Sequence, residues 1–222
     1  MDPKAITILK VLVGSFAHGL ADEKSDKDYR AVYVLPTSQI LSLNYKYKGS
    51  DWIEGDVDNT SYELGHFLNL AIRCNPTILE VFNAPVIESN EEGEFLRKCM
   101  HWCWAPKQAF DAFTGYGLNQ RKKFLNKKDN RQDKYACAYI RTLIALEQLL
   151  RTEDFDVAVP EAHRPLLKRL RSGNYTMGEV IDTAEKWTGS AEMPFSVVNI
   201  QITYPQLIVY YLISERNTGN KE

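Results

Sequence analysis

The stretch that most restricts what this chain can fold into is residues 6–34. It starts with ITILKVLV, rich in β-branched side chains and too short for a buried helix, and it halts at Gly14 and Ser15. Such a run reads as a buried strand whose carboxyl end points at the glycine. Polar and small residues follow, down to SDKD with its two acids one residue apart, and then DYRAVYVL, residues 28–35, which stops at Pro36, reads as a second strand. Folding alone has no need of two carboxylates there. Glycine lets backbone approach a ligand closely, and a serine hydroxyl with the amides of a turn can donate to phosphate oxygens. Asp26 and Asp28 leave the same face of a strand roughly 6 to 7 Å apart, and two like charges that close repel unless a cation sits between them.

A third strand is expected between Trp52 and Asp58. The period then changes: Leu64, Phe67, Leu68, Ala71 and Ile72 fall at helical spacing, opened by Thr60 and Glu63 in a capping-box pattern. Asn75-Pro76 breaks this helix and Thr77 restarts another. From about residue 92 the pattern is mostly helical, in EFLRKCMHWCWA, KQAFDAFTGYGLNQRKKFL, KYACAYIRTLIALEQLLR, PLLKRLRS and MGEVIDTAEKWT. A last apolar segment, PQLIVYYLI, opens at Pro205, a good first helical residue. The expected fold is α+β: a small mixed-sheet α/β unit over residues 1–90, followed by a helical unit over residues 91–222.

Composition narrows the classes of function. A chain of 222 residues with 44% hydrophobic and 25% charged residues has the makings of a packed core rather than a disordered segment. No apolar run approaches about 18 residues, so no membrane span is expected. Four cysteines spread through apolar stretches lack the density of a disulfide scaffold and predict reduced thiols in a cytoplasmic setting. A formal charge of −2 gives no global attraction to nucleic acid, so such binding has to come from a local patch. One candidate lies between residues 121 and 134, where Arg121, Lys122, Lys123, Lys127, Lys128, Arg131 and Lys134 oppose only Asp129 and Asp133. A charge run is more often a solvated loop. The remaining reading is a surface for phosphate or acceptor RNA. Tyr116, Tyr135 and Tyr139 nearby could stack a base, although aromatic residues at helical spacing are more often core.

A third acid completes the chemistry. Asp58, in GDVDNTSYE, stands near the end of the expected third strand, and an adjacent strand would bring it within about 5 Å of the first pair. Asp56 shares a strand face with it, so the third carboxylate is either Asp58, which is favoured, or Asp56. Three such carboxylates can hold two ions roughly 3.5 to 4 Å apart, the spacing used for in-line displacement at phosphorus. Magnesium suits oxygen ligands of this kind. Cys99, His101 and Cys103 are scattered around a helix at i, i+2 and i+4 and do not make a zinc site. His18, His66 and His163 are isolated, and packing or surface roles are expected for them. Arg30 is balanced between an ion pair inside the domain and contact with substrate.

Gly14-Ser15 followed by SDKDYRAVYV resembles the signature of the DNA polymerase β-type nucleotidyltransferase superfamily. It is similar in particular to small predicted nucleotidyltransferases of bacteria and their phages. DNTSYELGHFLNLAIRCNPTILEVF, GYGLNQRKK, KYACAYIRTLIALEQLL and GNYTMGEVI resemble further segments of that family, so the likeness covers most of residues 6–185. It implies a magnesium-dependent enzyme, with two Mg2+ ions or Mn2+ in their place. The enzyme would move a nucleoside monophosphate from an NTP to a hydroxyl acceptor, an RNA or tRNA end or else a protein, and release pyrophosphate. Gly14 and Ser15 become triphosphate contacts, Asp26 and Asp28 ligands of both metals, and Asp58 the acid that orients or deprotonates the attacking hydroxyl. Lys134 and Arg141 remain from a Lys-x-x-x-His-x-x-Arg pattern and, with Arg30 and Tyr116, become nucleotide contacts. Three residues depart from the pattern: Phe16 where arginine is common, Tyr29 for a small aliphatic residue, and Ala138 for the histidine. Phe16 and Ala138 support the alternative to the enzyme, a catalytically weak nucleotide-binding regulator or toxin-neutralising partner.

Overall fold

The computed structural model describes residues 5–43, 49–54, 57–126 and 129–190, with side chains described except at 49–58 and 188–190. The expected segment PQLIVYYLI, Asp56, Lys127 and Lys128 lie outside the described residues, as does the side chain of Asp58.

Among the described residues, five strands form one mixed sheet in the order β3-β4-β2-β1-β5. Strand β1 (Ile6–Val13) runs antiparallel to β2 (Asp28–Val34), with Val13 opposite Asp28 and Val11 opposite Arg30. Its Ile8, Leu9, Val11 and Val13 are buried, as the β-branched run demands. One helical turn, α1 (Gly14–Ala17), follows β1 directly. A second turn, α2 (Thr37–Ile40), follows Pro36.

Three expectations are corrected beyond this point, the third at CMHWCW below. The single strand expected between Trp52 and Asp58 is an antiparallel pair, β3 (Gly49–Glu54) and β4 (Val57–Glu63). The helix expected to open at Thr60 begins instead at Leu64, because Thr60 to Glu63 are strand residues. Flanked by β3 and running parallel to β2, β4 satisfies its backbone on both edges, and that ladder outweighs the local capping pattern. Glu63 still caps: its carboxylate accepts from His66 N at 3.1 Å at the start of α3 (Leu64–Ala71).

Asn75 then caps α4 (Pro76–Asn83), its Oδ1 accepting from Thr77 N at 3.0 Å, with Pro76 in the first turn. Strand β5 (Val86–Ser89) was not expected; its four residues are too few to show a period, and it adds to the edge of the sheet beside β1. Helix α5 (Glu91–Lys98) starts with three acids and ends with two bases, matching its dipole. It stops short of CMHWCW, where Met100–Trp102 makes a single 3-10 turn.

The long helices α6 (Pro106–Asn126) and α7 (Gln132–Thr152) pack on one another, and α8 (Arg164–Arg171) and α9 (Met177–Ser190) pack on α7. One apolar cluster joins the sheet to α3, α4, α5, the first half of α6 and the end of α7, with Phe67 and Phe82 rings 5.1 Å apart at its centre. A second gathers Leu20, Phe124 and the first half of α7 with α8 and α9. Helix α7 therefore runs through both cores and carries its polar face past the end of β1.

Candidate functional site

The site grows from the junction of β1 and α1. Gly14 has φ +68°, the left-handed region that favours glycine, and a Cβ built on it would collide with the Asp28 carboxylate and stand 3.4 Å from its Cγ. Strand pairing causes that proximity, since Val13 and Asp28 are direct partners. The turn is closed by His18 N donating to Gly14 O at 3.0 Å and Leu20 N donating to Ser15 O at 2.9 Å. Asp26 stands just before β2. The loop leading to it is pinned by Asp22, whose Oδ1 accepts from Ser25 Oγ at 2.8 Å and from Lys24 N at 3.0 Å.

A cavity of about 580 Å3 opens over this junction. Gly14, Ser15, Asp26 and Asp28 line it, as do Asp22 and Lys24 of the loop between them, Lys134 and Arg141 of α7, Arg131 before that helix and Arg171 of α8. Carboxylates and cations thus share one cavity. Of the nine residues that the sequence nominates for the site, six meet here, Gly14, Ser15, Asp26, Asp28, Lys134 and Arg141, and Arg131 of the basic run joins them. Ala138 also faces the cavity, where the related pattern carries histidine.

The other three stand elsewhere or are only partly described. In the parallel β2–β4 ladder Tyr29 is opposite Asn59, so the Asp58 backbone, one residue earlier, runs beside Asp28 at the inter-strand spacing of about 4.8 Å. Arg30 donates to the Thr77 carbonyl at the start of α4, tying that helix to β2. Tyr116 is off the cavity wall; its phenol is half-buried near Gln120, Arg141, Glu80 and Arg30, and burial raises its pKa. Among the described residues, no three histidine, cysteine, aspartate or glutamate side chains are grouped as metal ligands.

Sequence reasoning did not single out Glu80, and it gave His18 no part in the site. The Glu80 carboxylate is buried on α4, where Oε1 accepts from Arg141 at 2.7 Å and from His18 Nε2 at 3.2 Å. Burial alone would raise its pKa, but Arg141, then His18 and Arg30, outweigh it and hold the group well below the usual carboxylate range. Burial, and then Arg141, push the His18 imidazole below 6.5, so it is neutral at pH 7 and donates to the carboxylate. A signal for Glu80 was present: it is the one charge inside PTILEVF, whose Ile78, Leu79, Val81 and Phe82 are all buried. A charge in such a run requires a partner. Arg171 and Arg131 lie far from Asp28 in sequence, and only the packing of α7 and α8 brings them to the cavity.

A strand-turn-strand cradle, with acids beside a Gly-Ser turn and helical cations lining the same cavity, defines a nucleotidyltransferase core of the polymerase β type. The model of the RNA repair pathway DNA polymerase beta family matches residues 3–181, and the chain belongs to that family. Its function is accordingly of the nucleotidyltransferase type. No curated protein matches the chain. Among solved structures it is similar to a nucleotidyltransferase-like protein from Exiguobacterium sibiricum 255-15, with 11% identity over 94% of this chain and 74% of that one and a TM-score of 0.31. No helix among the described residues is long and apolar enough to cross a membrane.

Proposed function

We propose that the chain transfers a nucleoside monophosphate from an NTP to a hydroxyl at an RNA end, and that it does so with magnesium. The observation that carries this reading is the placement of Asp26 and Asp28 beside the Gly14–Ser15 turn, in one cavity with five cations, Lys24, Arg131, Lys134, Arg141 and Arg171. The residues suit divalent ions: hard carboxylate oxygens stand next to a turn kept free of a Cβ, with room for phosphates. Asp26 and Asp28, with Asp58 as the third acid, would hold two Mg2+ ions, or Mn2+ in their place. When bound, such ions neutralise charge on the phosphates and acidify the attacking hydroxyl.

The protein's own groups do the rest. Ser15 and the amides of the turn hold the triphosphate, and Arg141 and Lys134 offset its charge from α7. Asp58 orients the acceptor hydroxyl and takes its proton. The new bond joins that oxygen to the α-phosphorus, the bond from the α-phosphorus to the bridging oxygen breaks, and pyrophosphate leaves with the electron pair. Arg131 and Arg171, which also line the cavity, suit the phosphates of an acceptor strand, and the RNA repair character of the family supports RNA as that acceptor.

The test supplies α-labelled and γ-labelled NTPs with RNA, DNA and protein acceptors, with and without magnesium. Label from the α-position appearing on RNA only with magnesium is the expected result. Label on protein alone would move the acceptor to a side chain. NTP binding without pyrophosphate release from any acceptor would favour a nucleotide-binding regulator.

A further inference from the structure

Glu80 is buried behind the cavity wall, yet both groups that donate to it, His18 and Arg141, line that wall. Its single Oε1 receives both donors, and the three residues come from separate elements: α4, α7 and the turn that carries Gly14 and Ser15. His18 is itself bound to that turn, its backbone amide donating to Gly14 O at 3.0 Å. Side-chain exposure is 5% for Glu80, 9% for His18 and 13% for Arg141, so water does little to loosen the arrangement. Arg30, which also acts on Glu80 electrostatically, is committed to the Thr77 carbonyl and holds α4 in place.

We propose that Glu80 is a positioning residue for NTP binding, fixing the Arg141 guanidinium at a set distance from the Gly14–Ser15 turn through the shared contact with His18. The inference rests on the functional reading above and extends it to a group that never touches substrate. A guanidinium has five N–H donors in a rigid fork. With one anchored on Glu80 the plane of the group is fixed, and the remaining donors are available to phosphate oxygens without a search through rotamers. The same carboxylate keeps a buried cation charged in the absence of ligand.

The test measures calorimetric binding of ATP and of inorganic tripolyphosphate to the full chain, wild type and variants. Glu80→Gln keeps the size of the side chain and removes its charge, and it is expected to weaken both ligands by about tenfold or more, the scale of one charge-assisted hydrogen bond. In a double-mutant cycle, Glu80→Gln combined with Arg141→Lys is expected to bind no worse than Arg141→Lys alone, because Glu80 acts through Arg141. A merely structural Glu80 would give additive losses, and that result would overturn the proposal. If Glu80→Gln does not fold, Glu80→Asp, which keeps the charge but withdraws it by one methylene, takes its place in the same cycle. Wild-type affinity in either folded variant also overturns the proposal while leaving the transferase reading intact. Failure of the wild type to bind both ligands would overturn both.

Discussion

At the scale of single residues, the account turns on side chains that gain their meaning from what stands opposite them. Asp28→Asn should abolish nucleotidyl transfer with little change in melting temperature, since an exchange of equal size at the cavity edge removes charge and no packing; a drop of less than tenfold in turnover would contradict the assignment. Gly14→Ala should cost about 1–2 kcal/mol in urea unfolding from the left-handed backbone alone, and more because the new methyl meets the Asp28 carboxylate. The gathering of Gly14, Ser15, Asp26 and Asp28 was legible because they belong to one local unit of strand, turn and strand. Glu80 and Arg171 were not, because their place depends on helices 50 or more residues away coming to rest on that unit.

At the scale of elements, strands β1 and β2 and the long helices α6 and α7 could be read to within a few residues, because each carries many turns or a full run of its own period. The region around β4 could not. VDNTSYE contains a genuine capping signal at its end, and only hydrogen bonding to β2 and β3 decides that Thr60 to Glu63 stay extended. Strand β5 is short and lies at the sheet edge, so its sequence carries too little pattern to announce it. Helix α5 rests on β1 through Gly93, where a Cβ would run into the Ile8 carbonyl oxygen and stand 2.7 Å from Ser89 Oγ. Gly93→Ala, which elsewhere in a helix would stabilise, should therefore destabilise by about 1–3 kcal/mol, as overpacking does; denaturant unfolding checks the sign, and a stabilised variant would contradict the close packing of α5 on β1.

At the scale of the whole molecule, the charge network under the cavity makes stability depend on pH. The folded pKa of His18 is below 6.5, so the unfolded state binds the proton more readily. The stability that this provides is present above pH 6.5 and is lost as pH falls through the folded value. Glu80, also depressed, adds a loss at lower pH, below its usual 4.5. Melting temperature should fall between pH 7.5 and 5.5, and His18→Gln, whose amide can still donate to Glu80, should flatten that slope; an unchanged slope would show that His18 is not the group responsible. The same network joins the turn of the sheet unit to α7, which is why one cavity can be lined by the carboxylates of the sheet unit and the cations of α7. The most direct measurement of the central claim is pyrophosphate release by purified Asp26→Asn/Asp28→Asn protein, given NTP, RNA and magnesium and checked for folding by circular dichroism. The account predicts no release above background from the folded variant beside clear release from the wild type, and equal release from the two would contradict it.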